Sequence, residues 1–147
     1  MRTVAALIAG LILFPALAYS QNNKDVPAAV TEAFETTYPD VRFVRWKSEG
    51  AVFKAEYRER GMRRVIEMDS AGTVVAMTSQ VRTSELPSDV GNWVKENYPE
   101  YFIETVDIVE KAGKRFYKVE IERTMKEIDI AFDMEGKIIP ESLPKDE

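Results

Sequence analysis

The chain repeats its own residue pattern, and this repeat is the strongest constraint on what it can fold into. Residues 26–39 recur as 86–99, residues 53–57 as 117–121, and residues 66–72 as 130–136. The three blocks return in the same order, and their spacing changes only slightly. Such ordered self-similarity predicts two copies of one structural unit.

Each predicted unit opens with an amphipathic helix. Val30, Ala33, Phe34 and Tyr38 fall on one stripe of a helix with 3.6 residues per turn. The same stripe returns in the second copy as Val90, Trp93, Val94 and Tyr98. A proline follows each stripe and stops the helix. Trp93 is therefore predicted to pack in a core, and so is Trp46, which alternates with polar neighbours.

Four strands are predicted after each helix, because apolar and polar residues alternate with a period of two. In the first copy they lie around Val44 to Trp46, Phe53 to Tyr57, Val65 to Met68, and Val74 to Met77. In the second copy the last strand is predicted at Ile138 and Ile139. Short turns between them indicate antiparallel hairpins.

The predicted fold is therefore α+β, with two tandem units of one helix and four antiparallel strands. The first unit covers residues 26–82 and the second covers 86–141, and residues 142–147 form a polar tail. Residues 83–85 make a connector too short to tether independent domains.

The first twenty residues have the layout of a secretory signal peptide. Arg2 precedes an apolar stretch from Val4 to Leu17, and Ala18-Tyr19-Ser20 fits a small-residue cleavage site. Cleavage is expected before Gln21, which makes the mature chain periplasmic or secreted. No later apolar run is long enough to cross a bilayer.

Composition removes several classes of function. The chain has no Cys and no His, so thiol or Ser-His-Asp catalysis and His- or Cys-ligated zinc are excluded. Its formal net charge of −5 argues against nucleic acid as a partner. No cofactor is expected.

The order of several motifs resembles that of the secreted PepSY-like, beta-lactamase-inhibitor-like family of Gram-negative bacteria. The resemblance lies in Tyr38-Pro39, in the strand patterns at residues 44–46 and 53–57, in Asp69-x-x-Gly72 and in Leu86-Pro87. It implies a fold like that of beta-lactamase inhibitory protein, with a concave antiparallel sheet backed by helices. It implies export from the cytoplasm and no particular activity.

Charged residues supply the candidate partner-binding surface. One group is a basic cluster around the predicted second turn, where arginines could grip an anionic surface. Another group consists of outward strand positions, which should share the sheet face away from the helices. Together the candidate residues are Lys54, Glu56, Arg58, Arg60, Arg63, Arg64, Lys118, Glu120 and Glu122.

These patterns favour a non-catalytic module that binds a protein, a peptide or an envelope component, and an inhibitor of an exported enzyme is one version of such a module. One alternative is an enzyme acting on a glycan through carboxylates, of which Asp129, Asp133 and Glu135 form the densest cluster. Against it, Asp69 and Asp133 occupy equivalent predicted turns, where Asp and Gly satisfy the backbone. The other alternative is a chaperone-like envelope stress protein.

Overall fold

The structure is a computed structural model that describes residues 25–144. The predicted signal peptide lies outside the described residues. Within these residues, two α-helices, seven β-strands and two short 3-10 helices follow one another. They are α1 (Ala28–Thr37), β1 (Arg45–Glu49), β2 (Val52–Glu59), β3 (Met62–Met68), β4 (Val74–Val81), a 3-10 turn (Thr83–Glu85), α2 (Ser88–Asn97), β5 (Phe102–Lys111), β6 (Lys114–Arg123), β7 (Lys126–Phe132) and a 3-10 turn (Pro140–Ser142).

All seven strands belong to one antiparallel sheet in which spatial order equals chain order. The α+β class with an antiparallel sheet is thereby confirmed. The two halves of the chain meet where β4 pairs with β5, in a register that runs from Ala76↔Lys111 to Val81↔Val106. The halves therefore share one continuous sheet, with the 3-10 turn and α2 as the connection between β4 and β5.

Both helices pack on the same side of the sheet, each above its own half. The core under α1 contains Val30 and Phe34 from the helix and Ala55 from the sheet, and all three are almost fully buried. The core under α2 is built in the same way around Val90 and Val94. Burying one large apolar side chain contributes about 1.5–3 kcal/mol to stability. These two cores therefore stabilise the packing of the helices against the sheet.

Aromatic side chains fill much of the first core. The ring of Phe34 meets the ring of Trp46 edge-on at a centroid distance of 5.4 Å and that of Tyr57 at 5.9 Å. In the second core Trp93 meets Phe132 edge-on at 5.4 Å. Both tryptophans therefore pack against the cores, as their sequence patterns predict.

One turn in each half lies directly beneath a helix. The Asp69 carboxylate accepts the backbone N–H groups of Ala71 and Thr73, and the Asp133 carboxylate accepts those of Glu135 and Lys137. These bonds close both turns, so the two aspartates act as turn residues. The glycine that follows each aspartate has a positive φ, at 82° for Gly72 and 87° for Gly136.

The fourth strand of the second unit is not formed, which corrects the prediction for Ile138 and Ile139. Ile138 makes a single β-bridge to Phe132, and a 3-10 turn begins at Pro140. Proline has no N–H to donate, so the ladder ends there. The first half, by contrast, completes β4 over eight residues.

The segment predicted as a polar tail begins inside the fold. The Ser142 hydroxyl accepts the backbone N–H of Ala131 at 2.8 Å and donates to the Ile139 carbonyl at 2.7 Å. Leu143 packs against the second core. Ser142 therefore covers part of the outer edge of β7.

Candidate functional site

The face of the sheet opposite the helices is the candidate functional site and is called the open face below. Side chains alternate along each strand, so the residues that point away from α1 and α2 follow from the pairing registers. Most are charged. They include Arg45, Lys47, Glu49, Lys54, Glu56, Arg58, Arg63, Val65, Glu67, Ala76, Thr78, Gln80, Asp107, Val109, Phe116, Lys118, Glu120, Glu122, Glu127 and Asp129.

Seven of the nine candidate residues lie on the open face. They are Lys54, Glu56, Arg58, Arg63, Lys118, Glu120 and Glu122. Arg60 lies in the turn between β2 and β3, with a φ of 51°. Arg64 stands opposite the inward-facing Tyr57 and therefore points to the helix side, where it pairs with Glu59 at 3.3 Å. The basic cluster predicted from the sequence is thus divided by the sheet.

Ion pairs cover the open face in the first half. Lys54 Nζ lies 2.6 Å from a Glu49 oxygen and 3.6 Å from a Glu67 oxygen, and Lys47 pairs with Glu56 at 3.5 Å. The hydrogen bond from Lys54 lowers the pKa of Glu49 and, by the same contact, raises the pKa of Lys54. These mutually compensated charges are partly or largely exposed, so each contributes little to stability.

A buried carboxylate lies at the centre of the open face. Arg63 on β3 reaches across β4, and its Nη2 donates to Asp107 Oδ2 on β5 at 2.6 Å. Asp107 is only 2% exposed, and its other oxygen, Oδ1, has no hydrogen-bond partner among the described residues. Burial raises the pKa of Asp107, and the positive charges of Arg63 and Lys118 oppose that shift. Burying a charged carboxylate at this position therefore costs folding free energy.

Asp107 is not among the residues predicted from the sequence, although one signal for it exists. Asp107 lies between two apolar residues in β5, at an outward position that sequence reasoning assigns to solvent. Its burial depends on Arg63 and other long side chains from neighbouring strands. No local pattern reports those neighbours.

Around this pair the open face forms a shallow depression of about 200 Å³, called the central depression below. Val65 and Thr78 line it together with charged side chains that include Arg63, Asp107 and Lys118. The central depression therefore presents both signs of charge beside the single apolar side chain of Val65.

Four carboxylates lie together on β6 and β7, and they are called the acidic patch below. They are Glu120, Glu122, Glu127 and Asp129. In the register of the two strands, Glu120 stands directly opposite Asp129, and Glu122 directly opposite Glu127. Burial, together with the charges of Asp129 and Glu127, raises the pKa of Glu120. Lys118 pairs with Asp129 at 3.1 Å and compensates part of this charge.

The carboxylates of the glycan-hydrolase alternative have different surroundings. Asp133 closes its turn through its Oδ1 atom, while Asp129 pairs with Lys118 on the open face. Within residues 25–144 no three acidic residues are arranged to hold a metal ion.

Two other surface depressions lie outside the open face's centre. The larger, of about 630 Å³, lies at the edge of the sheet where β1 stops short of the end of β2, and the exposed ring of Phe43 borders it. The other, of about 530 Å³, lies beside the β5–β6 turn.

Fold and site together define a helix-backed antiparallel sheet with one free, charged face, an architecture suited to binding. Residues 65–140 match the family described as "Putative beta-lactamase-inhibitor-like, PepSY-like". Because this match spans more than half of the chain, the protein belongs to the PepSY-like family. No curated protein matches the chain in sequence.

Solved structures of Bacteroides proteins share this fold. A DUF2874 family protein from Bacteroides uniformis has a TM-score of 0.67 at 22% identity, covering 77% of this chain and 86% of that chain. A protein from Bacteroides eggerthii, described among "putative periplasmic proteins", has a TM-score of 0.69 at 16% identity, covering 78% and 86%. A BLIP-like protein from Bacteroides fragilis has a TM-score of 0.61 at 20% identity, covering 77% and 83%.

The part of the chain that the structure describes contains no helix long and apolar enough to cross a membrane.

Proposed function

We propose that this protein is an exported, non-catalytic binding module that recognises a protein partner through its open face. The observation that carries the proposal is the asymmetry of the sheet. One face is sealed by α1 and α2, while the other presents about twenty largely charged positions and the central depression. A broad antiparallel sheet with one uncovered face is a natural platform for a partner.

Membership of an inhibitor-like family supports a protein as the partner, and inhibition of an exported enzyme is one form this binding takes. The signal-peptide pattern at residues 1–20 and the periplasmic description of the Bacteroides eggerthii protein support export. The two similar halves support an origin by tandem duplication. Duplication widens a small sheet and so enlarges the uncovered face.

The experiment that tests the proposal is affinity capture from an envelope extract with the chain from Gln21 onward. A variant of the open face, Lys54→Glu with Arg58→Glu, is used beside the wild type. The control is Lys95→Glu, because Lys95 is exposed on α2 and lies on the helix side. We expect a stoichiometric protein partner that the open-face variant loses and the control keeps.

Equal capture by all three proteins would exclude the open face as the interface. Loss of the partner with Lys95→Glu alone would place the interface on the helices. In both cases melting temperatures must match the wild type, so that lost capture does not reflect unfolding.

A further inference from the structure

We propose that the acidic patch and the neighbouring buried Asp107 form a recognition site for a basic, extended segment of the partner protein. This inference rests on the proposed function, because it assigns a chemistry to part of the same open face. The partner contributes lysine or arginine side chains, and its segment lies along β6 and β7.

The register of β6 and β7 sets two successive pairs of carboxylates opposite each other on the open face, Glu120↔Asp129 and Glu122↔Glu127. Like charges directly opposite each other in a sheet are destabilising. The like charges that face each other in the first half are basic, and the carboxylates there are matched by lysines. Within residues 25–144 only Asp129 of the acidic patch has a cation partner, Lys118, so an entering cation relieves the remaining repulsion.

Asp107 provides an independent observation on the same face of the sheet. Its side chain is 2% exposed, and Oδ1 lacks a partner within residues 25–144. Asp107 stands opposite Lys118, which in turn reaches toward Asp129, so Asp107 adjoins the acidic patch on the open face. A buried carboxylate oxygen without a donor is a place where an incoming N–H group gains a hydrogen bond.

The spacing of the carboxylates favours a protein segment over a small cation. The two acidic pairs, Glu120↔Asp129 and Glu122↔Glu127, are two residues apart along each strand, which corresponds to about 6.6–6.8 Å. Alternate side chains of an extended peptide have the same spacing. Lysines at every second position of such a peptide can therefore each contact one acidic pair. A metal ion, in contrast, needs ligands that converge on one point, and no such group exists among the described residues.

The probe for this proposal is a fluorescein-labelled peptide of alternating lysine and threonine, measured by fluorescence anisotropy at low and moderate salt. A peptide of alternating glutamate and threonine is the charge control. We expect the basic peptide to bind and the acidic peptide not to bind, with an affinity that falls as salt is added. Amide resonances of β6 and β7 should shift in NMR spectra when the basic peptide is added.

Two charge-matched variants decide where the peptide binds. Glu120→Gln with Glu127→Gln removes two charges from the acidic patch, and Glu32→Gln with Glu35→Gln removes two from the exposed side of α1. We expect the first variant to weaken binding about tenfold or more and the second to change it less than about twofold. Asp107→Asn should also weaken binding, with its melting temperature measured alongside.

Equal weakening by the two double variants would overturn the proposal, because binding would then follow net charge alone. Binding of spermine as tightly as the peptide would overturn the assignment to a protein segment. If the basic peptide fails to bind while the captured partner is still lost with Lys54→Glu and Arg58→Glu, this inference fails and the proposed function stands.

Discussion

Arg63 and Asp107 form an ion pair that joins the two halves of the sheet across an intervening strand. The guanidinium comes from β3, the carboxylate from β5, and the bond of 2.6 Å passes over β4. Asp107 is buried, while Arg63 remains about a third exposed. The pair therefore links the halves on the open face, as the β4–β5 ladder does through the backbone.

Removal of the arginine should cost more stability than removal of the acid. Arg63→Met leaves a buried carboxylate without its donor, and we expect a loss of about 1–3 kcal/mol in the free energy of unfolding. Asp107→Asn leaves no buried charge and should cost less. Urea denaturation of both single variants and the double variant measures the coupling, and additive effects would show that the pair contributes nothing as a unit.

The pKa of Asp107 predicts how its contribution changes with pH. Burial raises that pKa above the ordinary value of 3.8, and the facing charges of Arg63, Lys118 and Asp129 adjust it. Between 3.8 and the raised value the folded state binds more protons than the unfolded state, so this residue's contribution to stability falls as pH rises.

The stability of wild type relative to Asp107→Asn should therefore be most favourable at the acid end and should decline with rising pH through that window. Chemical denaturation of both proteins at several pH values measures this difference. A relative stability that increases with pH would mean that the pKa of Asp107 is lowered by folding.

Gly72 should tolerate no side chain, because it combines a positive φ with a close helix. A Cβ there would lie 2.7 Å from the Ala33 Cβ and 2.8 Å from the Ala29 carbonyl oxygen. Gly72→Ala is expected to cost about 2–4 kcal/mol. Gly61 is the matched control, since its φ of 83° is nearly the same and no atom lies within 4 Å of its Cβ position.

Gly61→Ala should cost about 1 kcal/mol, which is the conformational penalty alone. Thermal denaturation of the two variants separates this penalty from the steric contact. Equal losses would mean that α1 moves away from the turn at little cost.

Relief of the repulsion in the acidic patch should stabilise the protein. Glu127→Lys places a cation opposite Glu122, and we expect a gain of about 0.2–1 kcal/mol. In a Glu122→Gln background the gain should shrink, because the facing charge is gone. Denaturation measurements on the four proteins check this, and an unchanged gain would assign the effect to net charge.

Local patterns predicted much of the architecture. The stripe through Val30 and Phe34 identified α1, and both side chains are buried as expected. The alternation at Phe53, Ala55 and Tyr57 identified β2 and its buried face. The end of β4 was harder to predict, because Thr78, Ser79 and Gln80 carry no apolar alternation. Their strand conformation comes from pairing with β3 and β5 on either side.

The candidate site could also be predicted in part from local patterns. Successive side chains of a strand alternate between the two faces of a sheet. This alternation along β2 and β6 correctly placed Lys54, Glu56 and Lys118 on the open face. The same alternation puts Arg63 and Arg64 on opposite faces, although their closeness in the sequence suggests one basic cluster. The pairing of Arg64 with Tyr57 shows that Arg64 lies on the helix side.

The sequence by itself determined the α+β elements and the charged character of one sheet face, because these depend on periodicities within short segments. The tertiary structure alone decided that β4 pairs with β5, that Asp107 is buried beneath Arg63, and that Glu120 and Glu122 stand opposite Asp129 and Glu127. Strand order and register bring together residues that are distant in the chain. The burial and electrostatics of each carboxylate follow from those neighbours.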